Sequence, residues 1–361
     1  MQERILYELG RYHDAYLETD WLSAKVIKHV LIHQEKVEIE IRLGYPFKRI
    51  AHDIEAQIKA KITSLVGEKP IEIKLLSHIE PHVGRTGMSP HPAIKNIIVI
   101  ASGKGGVGKS TVAVNIALAL AMEGAKVGLL DADIYGPSQP AMLGAEGERP
   151  IFKDKSFLPV IRHGIQSMSI GYLIDQDTPM IWRGPMIGKA MHQLLYDTQW
   201  EALDYLIIDL PPGTGDIQLS LCQKVPVSGA VMVTTPQDLA LLDVRRACEM
   251  FKKLNVSILG IVENMSGYHC PACGHHEAIF GQGGGQKLAH EESQTLLASI
   301  PLSLSIREMT DHGKPPVILH PPHQHADVFY TAARKIAAKL SLQNKDYSAK
   351  FPKIVVTQGK N

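Results

Sequence analysis

Hydrophobic and polar positions change rhythm along this chain. Val37, Ile39 and Ile41 alternate with charged neighbours, the pattern of a half-exposed strand. Residues 24–32 and 36–43 are therefore predicted to pair as a hairpin through His33, Gln34 and Glu35. Over residues 49–66 the period lengthens: Ile50, Ile54, Ile58 and Ile62 share one helical face, and Gly67 is placed to end the helix. Residues 71–76 complete this first unit as a third strand.

A stretch with Pro81, Gly84, Gly87, Pro90 and Pro92 and little apolar content follows, as suits a linker. From Lys95 onward, near-continuous apolar segments at 96–101, 126–131, 205–209, 229–234 and 257–263 are separated by helical patterns such as 110–123. Strands apolar on both faces, with helices between them, predict an α/β fold with a mostly parallel sheet flanked by helices. The last helix is expected at about 327–340, after the irregular segment containing Pro315, Pro316, Pro321 and Pro322. The pattern divides the chain into a small α/β domain at 1–80, a linker at 81–94, a larger domain at 95–342 and a polar tail at 343–361.

Composition changes little in this picture. A chain of 361 residues, 45% apolar and 21% charged, has core material for two ordinary globular domains. A net charge of +1 supplies no field that would draw the protein onto nucleic acid or an anionic membrane. Neither a signal peptide nor an apolar run long enough to span a bilayer is present, so a cytoplasmic location is expected. Four cysteines in so long a chain are not a disulfide framework and stay available for metal or redox chemistry.

The chemistry begins at Gly103, Lys104, Gly105, Gly106, Val107, Gly108, Lys109 and Ser110, followed by Thr111. This run satisfies G-x-x-x-x-G-K-S between a predicted strand and a predicted helix. The glycines let successive N–H groups point into one concavity, and the helix start adds its positive dipole end, so the loop suits a polyphosphate such as that of ATP. Lys109 is placed to neutralise the β and γ phosphates, and the Ser110 hydroxyl to ligate Mg2+. Asp131, Asp133 and Asp209 end two other predicted strands, at the sheet edge where ligands of open α/β sheets bind. For Asp131, capping of the following turn is an alternative role.

Cys270 and Cys273 form a C-x-x-C pair in a segment expected to be a loop. Two thiolates can grip one metal centre, but a four-iron cluster or a structural zinc generally takes four ligands. A two-fold dimer would bring a second pair. Zinc completed by two of His269, His275 and His276, or a dithiol redox pair, are the alternatives. Cys222 and Cys248 lie in apolar helical patterns and read as core residues.

Taken together, residues 103–111, 131–138, 182–186, 209–216, 263–265 and 270–273 resemble the Mrp/ApbC family of iron–sulfur cluster carrier ATPases. Lys104, an early second lysine in the loop, is similar to the signature of the deviant Walker A superclass, in which it reaches across an ATP-closed dimer. The segment before the linker resembles the MIP18-type domain, chiefly through residues 26–46. The resemblance implies a P-loop NTPase fold and a cytoplasmic homodimer that hydrolyses ATP. It makes Cys270 and Cys273 ligands of a bridging [4Fe–4S] cluster handed on to apo iron–sulfur proteins. Asp209 becomes the Walker B aspartate, Asp133 the residue that positions the attacking water, and Asn264 a contact to adenine. Trp182 and Arg183 are hallmarks whose role does not follow from the residues. The competing expectations are a spatial-organisation ATPase of the plasmid-partition and division-site kind, and an ATPase with a structural zinc knuckle.

Overall fold

The computed structural model describes residues 1–82, 84, 88–174 and 184–345. The expectations for Trp182, Arg183 and most of the tail lie outside the described residues.

The first unit comprises α1 (Gln2–Gly10), β1 (His13–Asp14), β2 (Thr19–Asp20), β3 (Ile27–Ile32), β4 (Val37–Leu43), α2 (Ala51–Val66) and β5 (Ile71–Ser77). β3 and β4 are antiparallel, and the His33 N–H closes the hairpin on the Lys36 carbonyl at 2.8 Å. β5 lies parallel to β4. Ile54, Ile58, Ile62 and Val66 bury the face of α2 that the four-residue spacing predicts, and Gly67 ends the helix at φ 66°. The reading did not anticipate α1, which buries Ile5 and Leu9. The buried Asp14 of β1 accepts from Trp21 Nε1 at 3.0 Å, Tyr45 Oη at 2.7 Å and the N–H groups of Tyr16 and Leu17.

The second unit starts with β6 (Ile94–Ser102), α3 (Lys109–Met122), β7 (Val127–Asp131), α4 (Gln139–Met142) and the short hairpin β8 (Ile151–Lys153) and β9 (Ser156–Leu158). It continues through β10 (Val160–Arg162), β11 (Ile165–Ser169), α5 (Gly184–Tyr196), β12 (Leu203–Asp209), α6 (Asp216–Lys224), β13 (Gly229–Thr234) and α7 (Asp238–Lys253). It ends with β14 (Ile258–His269), β15 (His276–Glu277), α8 (Gly284–Glu291), β16 (Leu296–Leu302), α9 (Leu304–Asp311) and α10 (Ala326–Ser341). Seven strands run parallel in the order β11-β7-β12-β6-β13-β14-β16, with β10 antiparallel at one edge and β15 antiparallel to the far end of β14. The central strands are apolar along most of their length, as strands covered by helices on both faces are. After its polar first turn α3 is apolar on nearly every side, Asn115 apart, and almost wholly buried, as a helix sealed between a sheet and another helix must be.

That burial ties the two units together. Glu123, directly after α3, accepts from Arg334 of α10 through Nε at 2.9 Å and Nη2 at 2.7 Å, and from the Arg49 N–H of the first unit at 3.0 Å. Arg334 also donates to Tyr16 Oη at 2.6 Å. Both charged side chains are buried. Within the expected linker, the buried His82 bonds to Asn96 of β6. Removing one member of a buried pair leaves an uncompensated charge. Arg334→Met is therefore expected to lower unfolding free energy by about 3–5 kcal/mol, read as a reduced urea midpoint.

Candidate functional site

β6 delivers the chain to the sheet's C-terminal edge, where residues 103–108 turn back into α3. Gly106 and Gly108 stand at φ 80° and 79°, a conformation that L side chains rarely adopt. A Cβ on Gly108 would strike the Asn264 amide, so only glycine fits there. Gly108 caps α3 without any side-chain hydrogen bond, leaving the first N–H groups of the helix to be satisfied by something else. This suits a polyphosphate, and a Cβ built on Gly106 meets nothing within 4 Å.

The loop is held from three sides. Ser102 Oγ donates to the Lys104 carbonyl at 2.9 Å, and Lys104 Nζ reaches Gln237 Oε1 at 3.4 Å, just ahead of α7. Gly103 lies against the backbone of Asp243, where a Cβ would collide. Asn264 Nδ2 donates to the Val107 carbonyl at 2.9 Å. In the structure Asn264 thus grips the phosphate loop itself, a contact the sequence reading did not contain.

Three carboxylates and one ammonium meet beside the loop. Lys109, 6% exposed, donates to Asp209 Oδ1, stands 3.8 Å from Asp133 and lies 3.3 Å from Ser110 Oγ. Burial raises the Asp133 carboxyl, opposed by the Lys109 charge. Burial pushes Asp131 up to about 7, and the charge on Asp209 adds to the effect. Asp131 accepts from the Asp133 N–H, the Gln139 N–H and Ser169 Oγ, each at 3.1 Å. The turn-capping role weighed for Asp131 is thus present, and Asp131 also anchors the start of α4. Sequence reasoning missed Gln139. Its Nε2 donates to Asp209 Oδ2 at 2.8 Å and to the Ser110 carbonyl at 3.1 Å. The only signal in the sequence is its place after the 131–138 motif.

The strand ahead of the cysteine pair departs from expectation. Predicted to stop at Glu263, it continues as β14 to His269, and residues 270–275, with both cysteines, form the turn that joins it to β15, as a loop reading of the pair expects. His269 pairs with His276 across it, their rings 4.6 Å apart. The Cys270 N–H donates to the His275 carbonyl, and the Gly274 N–H to the Cys270 carbonyl, both at 2.9 Å. Cys273 is exposed and Cys270 half-buried at the tip. The N–H groups of Cys273 and Ala272 hold the Cys270 thiol below its ordinary value, favouring thiolate. Among the described residues, no group of three or more His, Cys, Asp and Glu side chains is gathered to hold a metal. Cys222 and Cys248 are buried, and burial pushes the Cys248 thiol up to about 12, as core cysteines require.

No helix among the described residues is long and apolar enough to cross a membrane. A family model described as NUBPL iron-transfer P-loop NTPase matches residues 93–337, and one described as iron-sulfur cluster assembly protein matches residues 2–75. The iron-sulfur cluster carrier protein of Escherichia coli (strain K12) is 46% identical over 339 residues, spanning 93% of this chain and 92% of the relative. The iron-sulfur cluster transfer protein NUBPL of Mus musculus is 46% identical over 259 residues, spanning 71% of this chain and 81% of the relative. Among solved structures, a nucleotide-binding protein in complex with ADP from Archaeoglobus fulgidus aligns with TM-score 0.55 at 39% identity, covering 62% of this chain and 88% of its own.

Proposed function

The chain belongs to the NUBPL-type iron-transfer P-loop NTPases, with an iron–sulfur cluster assembly domain ahead of the NTPase, and we propose that it is an ATP-hydrolysing cluster carrier working as a homodimer. Its cargo is a [4Fe–4S] cluster, held by Cys270 and Cys273 of both subunits and passed to apo iron–sulfur proteins. The observation that carries this reading is a Cys-x-x-Cys pair at the tip of a hairpin whose strand also grips the phosphate loop, with the Cys270 thiol held toward thiolate by backbone N–H groups.

The residues beside the loop fit a magnesium nucleotide. The uncapped start of α3 and the open face at Gly106 suit phosphate oxygens, and Ser110 Oγ with the buried Asp209 supplies the hard oxygen donors Mg2+ takes. Bound Mg2+ would neutralise charge on the transferring phosphoryl group. In this reading Lys109, which now lends its charge to Asp209 and Asp133, does the same from the protein side. Asp133 at the rim holds and orients the attacking water. Lys104 supplies a further positive charge from across the dimer, and Asn264 steadies the loop and contacts the base.

The cargo half follows from ligand count. A four-iron cluster takes four thiolates, one chain offers two at this hairpin, and a two-fold axis supplies the rest. Ligands at an exposed tip leave the cluster open to attack by an acceptor's thiolates, so transfer is ligand exchange without a change of oxidation state.

Protein reconstituted without oxygen is expected to hold about two irons and two sulfides per chain. Stoichiometric zinc with no iron uptake would leave an NTPase with a structural knuckle and end the carrier reading. ATP-dependent co-sedimentation with liposomes or DNA would point to spatial organisation.

A further inference from the structure

We propose that Gln139 is a positioning residue for magnesium, orienting Asp209 with one end of its amide and accepting a hydrogen bond from a metal-bound water with the other. This rests on the nucleotide half of the reading above and is independent of the cargo.

Gln139 is 1% exposed. Its Nε2 bridges Asp209 Oδ2 at 2.8 Å and the Ser110 carbonyl at 3.1 Å. Ser110 and Asp209 are the two residues assigned to the metal. Both bridged atoms are pure acceptors, so the amide has one sensible orientation. Flipping it would set its oxygen against a carboxylate and a carbonyl. Oε1 is buried and finds no donor among the described residues. Buried polar atoms are normally paired, and an exception calls for a missing partner.

The kind of partner follows from the surroundings. Mg2+ bound by one or two protein oxygens keeps several waters, and those waters are strong donors in need of acceptors. Asp209 is fixed by Lys109 on Oδ1 and by Gln139 on Oδ2, so both its oxygens are oriented. Gln139 is fixed in turn because Asp131 accepts its backbone N–H at 3.1 Å, with Ser169 on the same carboxylate oxygen. Among the described residues three other buried side-chain polar atoms lack partners, His82 Nε2, Asn115 Oδ1 and Gln218 Oε1, and none belongs to a side chain bonded to Ser110 or Asp209.

The test is calorimetric binding of ADP to the full chain, with magnesium and with EDTA. In the parent protein magnesium is expected to tighten binding. Gln139→Met keeps the volume and loses both ends of the amide. It is expected to weaken ADP binding about tenfold with magnesium, the scale for lost groups that orient metal ligands, and to leave binding in EDTA unchanged. Gln139→Asn, which keeps the amide but shortens its reach, is expected to show the same selective loss and stands in should the methionine variant fail to fold. Equal weakening in both conditions would make Gln139 a shaper of the loop and overturn the proposal, as would no weakening in either. A parent protein whose ADP affinity ignores magnesium would instead overturn the nucleotide reading itself, and this inference with it.

Discussion

Cys270→Ala protein is expected to retain essentially no iron or sulfide after reconstitution, while its fold and ATP hydrolysis persist. Cys270 stands at a half-exposed hairpin tip and its neighbour Cys273 is exposed, so truncation opens no cavity in the core. In a two-fold dimer, though, one substitution deletes two of four thiolates, because each subunit carries the change. Cys248→Ala is the control. That thiol lies on the buried face of α7, so its loss is expected to lower stability modestly and leave iron content unchanged. Iron, sulfide and visible absorbance, measured beside phosphate release, separate the two. Undiminished iron in Cys270→Ala would remove the hairpin from the cargo site.

The second large effect is expected at Lys109. Its ammonium is 6% exposed and lies among Asp209, Asp133 and the Ser110 hydroxyl. Lys109→Met preserves length and removes the charge, so developing negative charge on a transferring phosphoryl group loses a pre-placed cation. A loss of about 10²–10³-fold in kcat is expected. Phosphate release with ATP measures it, and ADP affinity should fall in parallel because the same cation meets the ground-state phosphates. A variant that hydrolyses ATP at the parent rate would show that Lys109 serves only to neutralise buried carboxylates.

The sequence disclosed elements wherever periodicity was strong and local. Ile54, Ile58 and Ile62 announced α2, and the apolar runs that became β6, β12 and β13 announced a parallel sheet. Failures came where local composition and tertiary context disagreed. Gly267 read as loop, yet β14 runs on through it to His269, because His269 and His276 need only one short antiparallel step to close a hairpin; Pro271 and Gly274 do lie in the turn between the two strands. The first helix went unread because Ile5 and Leu9 make a stripe of only two turns. The candidate site divides in the same way. Residues 103–111 carry a spacing with its own physical meaning, so they were visible alone. Gln139 has no such spacing; its position matters only once the ends of β7, β11 and β12 meet. Asn264 was visible, but its grip on Val107 depends on β14 lying beside the loop.

β14 carries Asn264 against the phosphate loop and ends at His269, one residue before Cys270. The six residues from Asn264 to Cys270 span at most about 20 Å when extended, so the side chain that grips the loop and the hairpin tip share one stretch of covalent backbone. Equilibrium binding is reciprocal: any factor by which nucleotide alters affinity for cargo must reappear, unchanged, as the factor by which cargo alters affinity for nucleotide. The direction of that coupling can thus be read without handling a cluster transfer at all, by titrating ADP into loaded and empty protein and comparing the two curves.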